Sequence, residues 1–126
     1  MDRRVVITGM GAITPVGNTA PQSWDALVRG ESGIGTITAF DTTGFRVSVA
    51  AEVKGFDAAA ALGKSVALHN DRNVQFALVA SDEAMASSGL DAEGAIEPER
   101  LGVYVGSGIG GIGTTEAQVR RLADGG

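Results

Sequence analysis

Five glycines fall within residues 106–113: Gly106, Gly108, Gly110, Gly111 and Gly113, with Ser107 and Ile109 between them. Glycine has no Cβ and tolerates positive φ, so such a loop lets the backbone pass close to a ligand, a strand or a second subunit. The pattern Gly106-x-Gly108-x-x-Gly111 matches the dinucleotide fingerprint, in which a pyrophosphate rests on a helix N-terminus. That fingerprint also needs a second parallel strand with an acidic residue at its end, about twenty residues on. Here Asp124 closes a helix-like pattern instead. No Gly-Lys-Ser/Thr follows the glycines, which excludes a P-loop, and Ser107 lacks the Gly-x-Ser-x-Gly setting of a nucleophile elbow. From the residues alone two readings stay open: a nucleotide site at 106–111, and glycines that only permit close packing.

Other chemistry is sparse. His69 is the single histidine and there is no cysteine, which removes disulfides, thiolate metal sites and a cysteine nucleophile, and leaves His69 as a solvated loop residue. Asp82 and Glu83, like Asp91 and Glu93, read as solvated. No metal or cofactor is expected. The net charge of −5 gives no general support for binding nucleic acid or an acidic membrane surface. Met1-Asp2-Arg3-Arg4 leads into an apolar run too short for a secretory signal or a membrane span, so the default location is cytoplasmic.

The elements that must position the glycine loop follow from periodicity. Residues 5–8 are a β-branched run, and 101–105 hold the β-branched and aromatic run Val103 to Val105; both read as strands buried on both faces. Thr19 is a candidate N-cap, with Pro21 in the first turn and Gln22 at capping-box spacing. The helix behind it runs over about 20–29, with Trp24, Leu27 and Val28 as an apolar stripe and Gly30 as its stop. Residues 31–45 read as an ordered loop, and 46–53 as a half-exposed strand with Val47, Val49, Ala51 and Val53 on one face. A helical turn over 58–62 ends at Gly63, and 64–69 is ambiguous. A long helix from about Asn70 to Ser88 stops at Gly89, and its alanines, Ala77, Ala80, Ala84 and Ala86, make a narrow surface for close approach. An acidic loop over 91–100 precedes the last strand, and a helix over about 114–123 follows the glycines. Strands alternating with helices make this an α/β chain. Two strands needing cover on both faces, with few helices to provide it, predict part of a larger sheet.

Several segments in order resemble the β-ketoacyl-acyl-carrier-protein synthases, thiolase-like condensing enzymes of fatty-acid and polyketide synthesis. They are Arg3-Arg4-Val5-Val6-Ile7-Thr8-Gly9-Met10-Gly11-Ala12-Ile13-Thr14-Pro15-Val16-Gly17-Asn18; Trp24-Asp25-Ala26-Leu27 with Gly30-Glu31-Ser32-Gly33-Ile34; Phe40-Asp41-Thr42; Asp71-Arg72 with Gln75-Phe76-Ala77; and Gly106-Ser107-Gly108-Ile109-Gly110-Gly111. The resemblance implies an N-terminal segment, residues 1–126, of a homodimeric α/β enzyme. That enzyme joins acyl groups to malonyl carrier protein by decarboxylative condensation. Its catalytic cysteine and two histidines have no counterparts here, so the chain alone is expected to be inactive. Gly108 and Ile109 would line the acyl pocket. Lys64 and Arg72 are the certain cations of the stretch that docks acyl carrier protein, with Leu68 where an arginine is common. A non-catalytic scaffold that keeps the fold is the remaining alternative.

Overall fold

The computed structural model describes residues 4–90 and 95–125. Helix α1 (Ala20–Val28) begins where a local signal tells it to: Thr19 is extended at φ −143°, and its hydroxyl accepts the Gln22 N–H at 3.2 Å. Gln22 reaches back to accept the Asn18 N–H at 3.1 Å, the reciprocal half of a capping box shifted by one residue. The Gly30 N–H closes the far end on the Leu27 carbonyl, with φ of 71°. The buried face of α1 is Ser23 and Ala26. The stripe of Trp24, Leu27 and Val28 is present but uncovered, because nothing among the described residues packs over it.

Strand β1 (Ile34–Thr36) pairs antiparallel with β2 (Val49–Ala51), with Ile34 opposite Ala51 and Thr36 opposite Val49. Reading 31–45 as a loop missed β1, since three residues centred on a glycine carry no alternation. The strand read over 46–53 is trimmed to its middle, and its residues Val49, Ala50 and Ala51 are exposed. Three helices follow. Helix α2 (Ala58–Leu62) is capped by Asp57, which accepts the Ala60 N–H at 3.0 Å, and stops at Gly63, φ 80°. The ambiguous stretch is α3 (Lys64–His69), and His69 lies in its last turn rather than in a loop. Helix α4 (Arg72–Ser88) ends on left-handed Gly89, φ 72°. Buried Gln75 ties α4 to α3, its Nε2 donating to the Ala67 and Asn70 carbonyls at 2.8 Å each. A 3₁₀ turn (Pro98–Arg100) lies in the expected acidic loop, whose residues 91–94 are outside those described. The last helix, α5 (Ile112–Ala123), starts two residues earlier than the periodicity suggests.

The packed centre lies where residues 9–18 cross α4. A Cβ on Gly9 would sit 2.6 Å from the Ser88 nitrogen, and one on Gly11 2.8 Å from the Ala84 nitrogen, so only glycine allows this approach. Ala80 and Ala84 form the narrow surface expected of α4; Ala86, expected there too, is exposed. Glu83, read as solvated, is half-buried. Its carboxylate accepts the Ala12 N–H at 2.9 Å and the Ala20 N–H at 2.9 and 3.1 Å, fixing the loop and the start of α1 on α4.

The runs over 5–8 and 101–105 form no strands. Val5 is 96% and Tyr104 99% exposed. Extended runs of this kind need neighbouring strands for their N–H and C=O groups, and among the described residues neither has one. The surface reflects this. It totals 10095 Å², against about 6,200 Å² for a compact monomer of this mass. Among the described apolar residues only Ala26 is fully buried, at 1% exposure.

Candidate functional site

The glycine loop enters α5 with Gly111 at the N-cap position, where no side chain of α5 closes the helix. The side chain that meets this end comes from another helix and bonds a hydroxyl there, not the backbone N–H groups. The side chain of Asp71, at the N-cap of α4, caps no N–H of its own helix; its Oδ1 accepts the hydroxyl of Thr114 in the first turn of α5. The carboxylate lies so close to Gly111 that a Cβ there would be only 3.1 Å from the Asp71 Cβ, with the carboxyl group nearer still. Within the loop, Ser107 Oγ accepts the Gly110 N–H at 2.9 Å, and Gly110 turns at φ 77°. Gly106 and Gly108, by contrast, have no atom within 4 Å of a built Cβ.

Between the loop and the start of α4 lies a cleft of about 510 Å³ lined by Asp71, Arg72, Phe76, Gly110, Gly111 and Thr114, among others. The Arg72 guanidinium lies 4.9 Å from the ring centre of Phe76 and 5.2 Å from that of Phe56. The two rings meet edge to face at 5.0 Å. Stacked against both faces, Arg72 is a held cation rather than a free one.

Of the residues singled out in the sequence, the structure brings Arg72 to the cleft beside the end of the glycine loop. Gly108 and Ile109 stand outside the lining, and Ile109 is 76% exposed. Lys64 opens α3 and is exposed, in no ion pair among the described residues. Sequence reasoning missed the Asp71–Thr114 link, the Phe56–Arg72–Phe76 stack and the role of Glu83. The first and last join residues far apart in the chain; within the stack, Arg72 and Phe76 are an i, i+4 pair on α4 and Phe56 comes from outside it.

The geometry bears on the nucleotide reading. A pyrophosphate at the α5 N-terminus would meet the Asp71 carboxylate at contact distance, so the dipole that attracts an anion is already answered by one. No parallel strand precedes or follows the loop among the described residues, where the one sheet is the antiparallel β1–β2 pair. The fingerprint match at 106–111 is therefore one of spacing alone.

Known proteins locate the chain. A sequence profile described as "Beta-ketoacyl synthase, N-terminal domain" matches residues 2–125. The 3-oxoacyl-[acyl-carrier-protein] synthase 2 of Vibrio cholerae serotype O1 is 44% identical over 122 residues, covering 97% of this chain and 29% of that protein. The synthase of the same name from Staphylococcus aureus (strain COL) is 41% identical over 123 residues, covering 98% and 30%. Among solved structures, the ishigamide ketosynthase/chain length factor superposes with a TM-score of 0.74 at 29% identity, over 98% of this chain and 30% of that one. The chain thus spans about three tenths of the length of the relatives it matches. Its mixed α/β arrangement is that of a thiolase-like ketosynthase. With nearly every residue matched by the domain's profile, the chain belongs to the β-ketoacyl synthase family.

Proposed function

We propose that residues 1–126 serve as the N-terminal segment of a 3-oxoacyl-acyl-carrier-protein synthase, where the loop at 106–111 forms one wall of the acyl channel. The observation that carries this reading is the bareness of that loop. Gly106 and Gly108 have open space where a Cβ would stand, and Ile109 after them carries an uncovered branched side chain. An apolar wall with small residues at its centre suits an alkyl chain, which gains about 0.8 kcal/mol for each methylene taken out of water. The condensation itself needs a thiolate to hold the acyl group and fixed donors for the developing oxyanion. This chain has no cysteine and one exposed histidine, so those groups would come from outside these 126 residues.

The partner of this reading is acyl carrier protein, an acidic protein, with exposed Lys64 as the better docking cation and Arg72 reduced by its aromatic stack. We place the assembled enzyme in the cytoplasm as a homodimer, within fatty-acid or polyketide synthesis; among the described residues no helix is long and apolar enough to cross a membrane. The test replaces the matching segment of the Vibrio cholerae synthase with these residues. The chimera should condense acyl and malonyl carrier proteins, while the purified chain alone gives background and shows no saturable NAD binding. Saturable NAD binding by the chain, or its own turnover surviving repurification, would overturn the proposal.

A further inference from the structure

We infer that Asp71 is a positioning residue for the glycine loop, holding the acyl-channel wall in place from the neighbouring helix; this rests on the channel reading above. Three observations converge on it. Asp71 occupies the N-cap of α4 with extended backbone, φ −66° and ψ 159°, yet leaves the N–H groups of α4 without a side-chain cap. Its carboxylate instead takes the Thr114 hydroxyl, 43 residues on, at the start of a helix with no cap of its own. Gly111 supplies the room, since any side chain there would collide with that carboxylate. An aspartate ordinarily caps its own helix; here the side chain leaves its own helix uncapped and instead bonds a hydroxyl in the first turn of the next α-helix.

The mechanical consequence concerns Ile109. The loop is short and tied internally by the Ser107–Gly110 bond and the Ile112 N–H to the Gly110 carbonyl, 2.9 and 3.0 Å. A Cβ on Gly106 or Gly108 would meet nothing within 4 Å, and among the described residues the side-chain tie from the loop's end to the body of the protein runs from Thr114, beside Gly111, to Asp71. Fixing Gly111 fixes Ile109 two residues earlier, and with it the depth of the channel. Without the clasp, the loop would swing and the channel would lose its sharp limit on acyl length.

The experiment compares wild type, Thr114→Val, Thr114→Ser and Asp71→Ala. Hydrogen exchange of the peptide spanning 106–115 in the purified chain should quicken roughly five-fold in Thr114→Val and Asp71→Ala, as for loss of one hydrogen bond. Thr114→Ser, which keeps the hydroxyl, should match wild type. Equal exchange in all four proteins, or a wild-type peptide exchanging as fast as an unfolded chain, would overturn the inference. In the synthase chimera the same two clasp-breaking variants should broaden the acyl-length distribution, with Ile109→Phe as the control for the channel. If Ile109→Phe shifts product length and the clasp variants do not, the positioning role falls and the channel stands. If Ile109→Phe shifts nothing, the channel reading falls, and the exchange data alone judge the clasp.

Discussion

At Gly9 and Gly11 a Cβ would strike the backbone of α4, whereas at Gly106 and Gly108 it would meet nothing within 4 Å. The two glycine-rich turns look alike in sequence, each following a β-branched run and preceding a helix. The first owes its glycines to a contact visible within this chain: the loop over 9–18 lies on Ala80 and Ala84 and is fixed by Glu83. Among the described residues the second is tied at its end to Asp71, and a Cβ on Gly106, Gly108 or Gly110 would meet nothing within 4 Å. Glycine spacing therefore reports that something passes close by; what passes must be read from the surroundings.

The comparison breaks most readily at Glu83. Its two N–H partners belong to the loop and to the start of α1, and charged hydrogen bonds of this kind contribute about 1.5–3 kcal/mol each. Glu83→Ala should lower unfolding stability in urea by about 2–4 kcal/mol, and Glu83→Gln, which keeps one acceptor, by about half as much. A loss within error would mean that water replaces the carboxylate and that the first turn is not anchored on α4.

Next comes a paired glycine test. Gly11→Ala forces the loop off α4 and should cost about 1–3 kcal/mol by overpacking. Gly108→Ala has space and no positive φ, so it should be neutral or stabilise by up to about 1 kcal/mol. Urea midpoints decide it, and equal losses would erase the distinction between the turns.

A smaller effect concerns pH. Hydrogen bonds from the Thr38 hydroxyl, the Thr38 N–H and the Ala39 N–H hold the Glu52 carboxyl below its ordinary value. A depressed folded-state value means stabilisation that is present above the unfolded value and lost as pH falls through the folded one. The segment that carries β1 and β2 should therefore loosen only below about pH 4. Exchange rates of residues 34–52 against pH, compared with Glu52→Gln, give the check. A variant with the wild-type profile would remove Glu52 from the account.

Apart from α3, whose stretch reads as ambiguous, the helices were legible in the sequence because their signals are local. Thr19, Pro21 and Gln22 announce the start of α1, and Gly63 and Gly89 the ends of α2 and α4, through backbone and cap chemistry within a few residues. The runs over 5–8 and 101–105 read as buried strands because composition reports a need for burial, while strand formation requires partners that composition cannot supply. Glu83 and Asp71 were illegible for a related reason. A carboxylate on a helix looks solvated until a loop from 63 to 71 residues away in sequence delivers N–H groups to it, as for Glu83, or a helix 43 residues on delivers a hydroxyl, as for Asp71. The candidate site was legible as a glycine loop and an arginine, and its clasp was not.

The central claim, that the second glycine turn borders an acyl channel, is tested most directly by Ile109→Phe in the synthase chimera, with product length as the readout. Overfilling an apolar site costs about 1–3 kcal/mol, a penalty of roughly 5- to 150-fold on chains that reach it. The account predicts that products shift to shorter acyl groups, while acceptors too short to reach Ile109 condense at nearly the wild-type rate. Equal losses for short and long acceptors would contradict it and leave Ile109 as an ordinary packing residue.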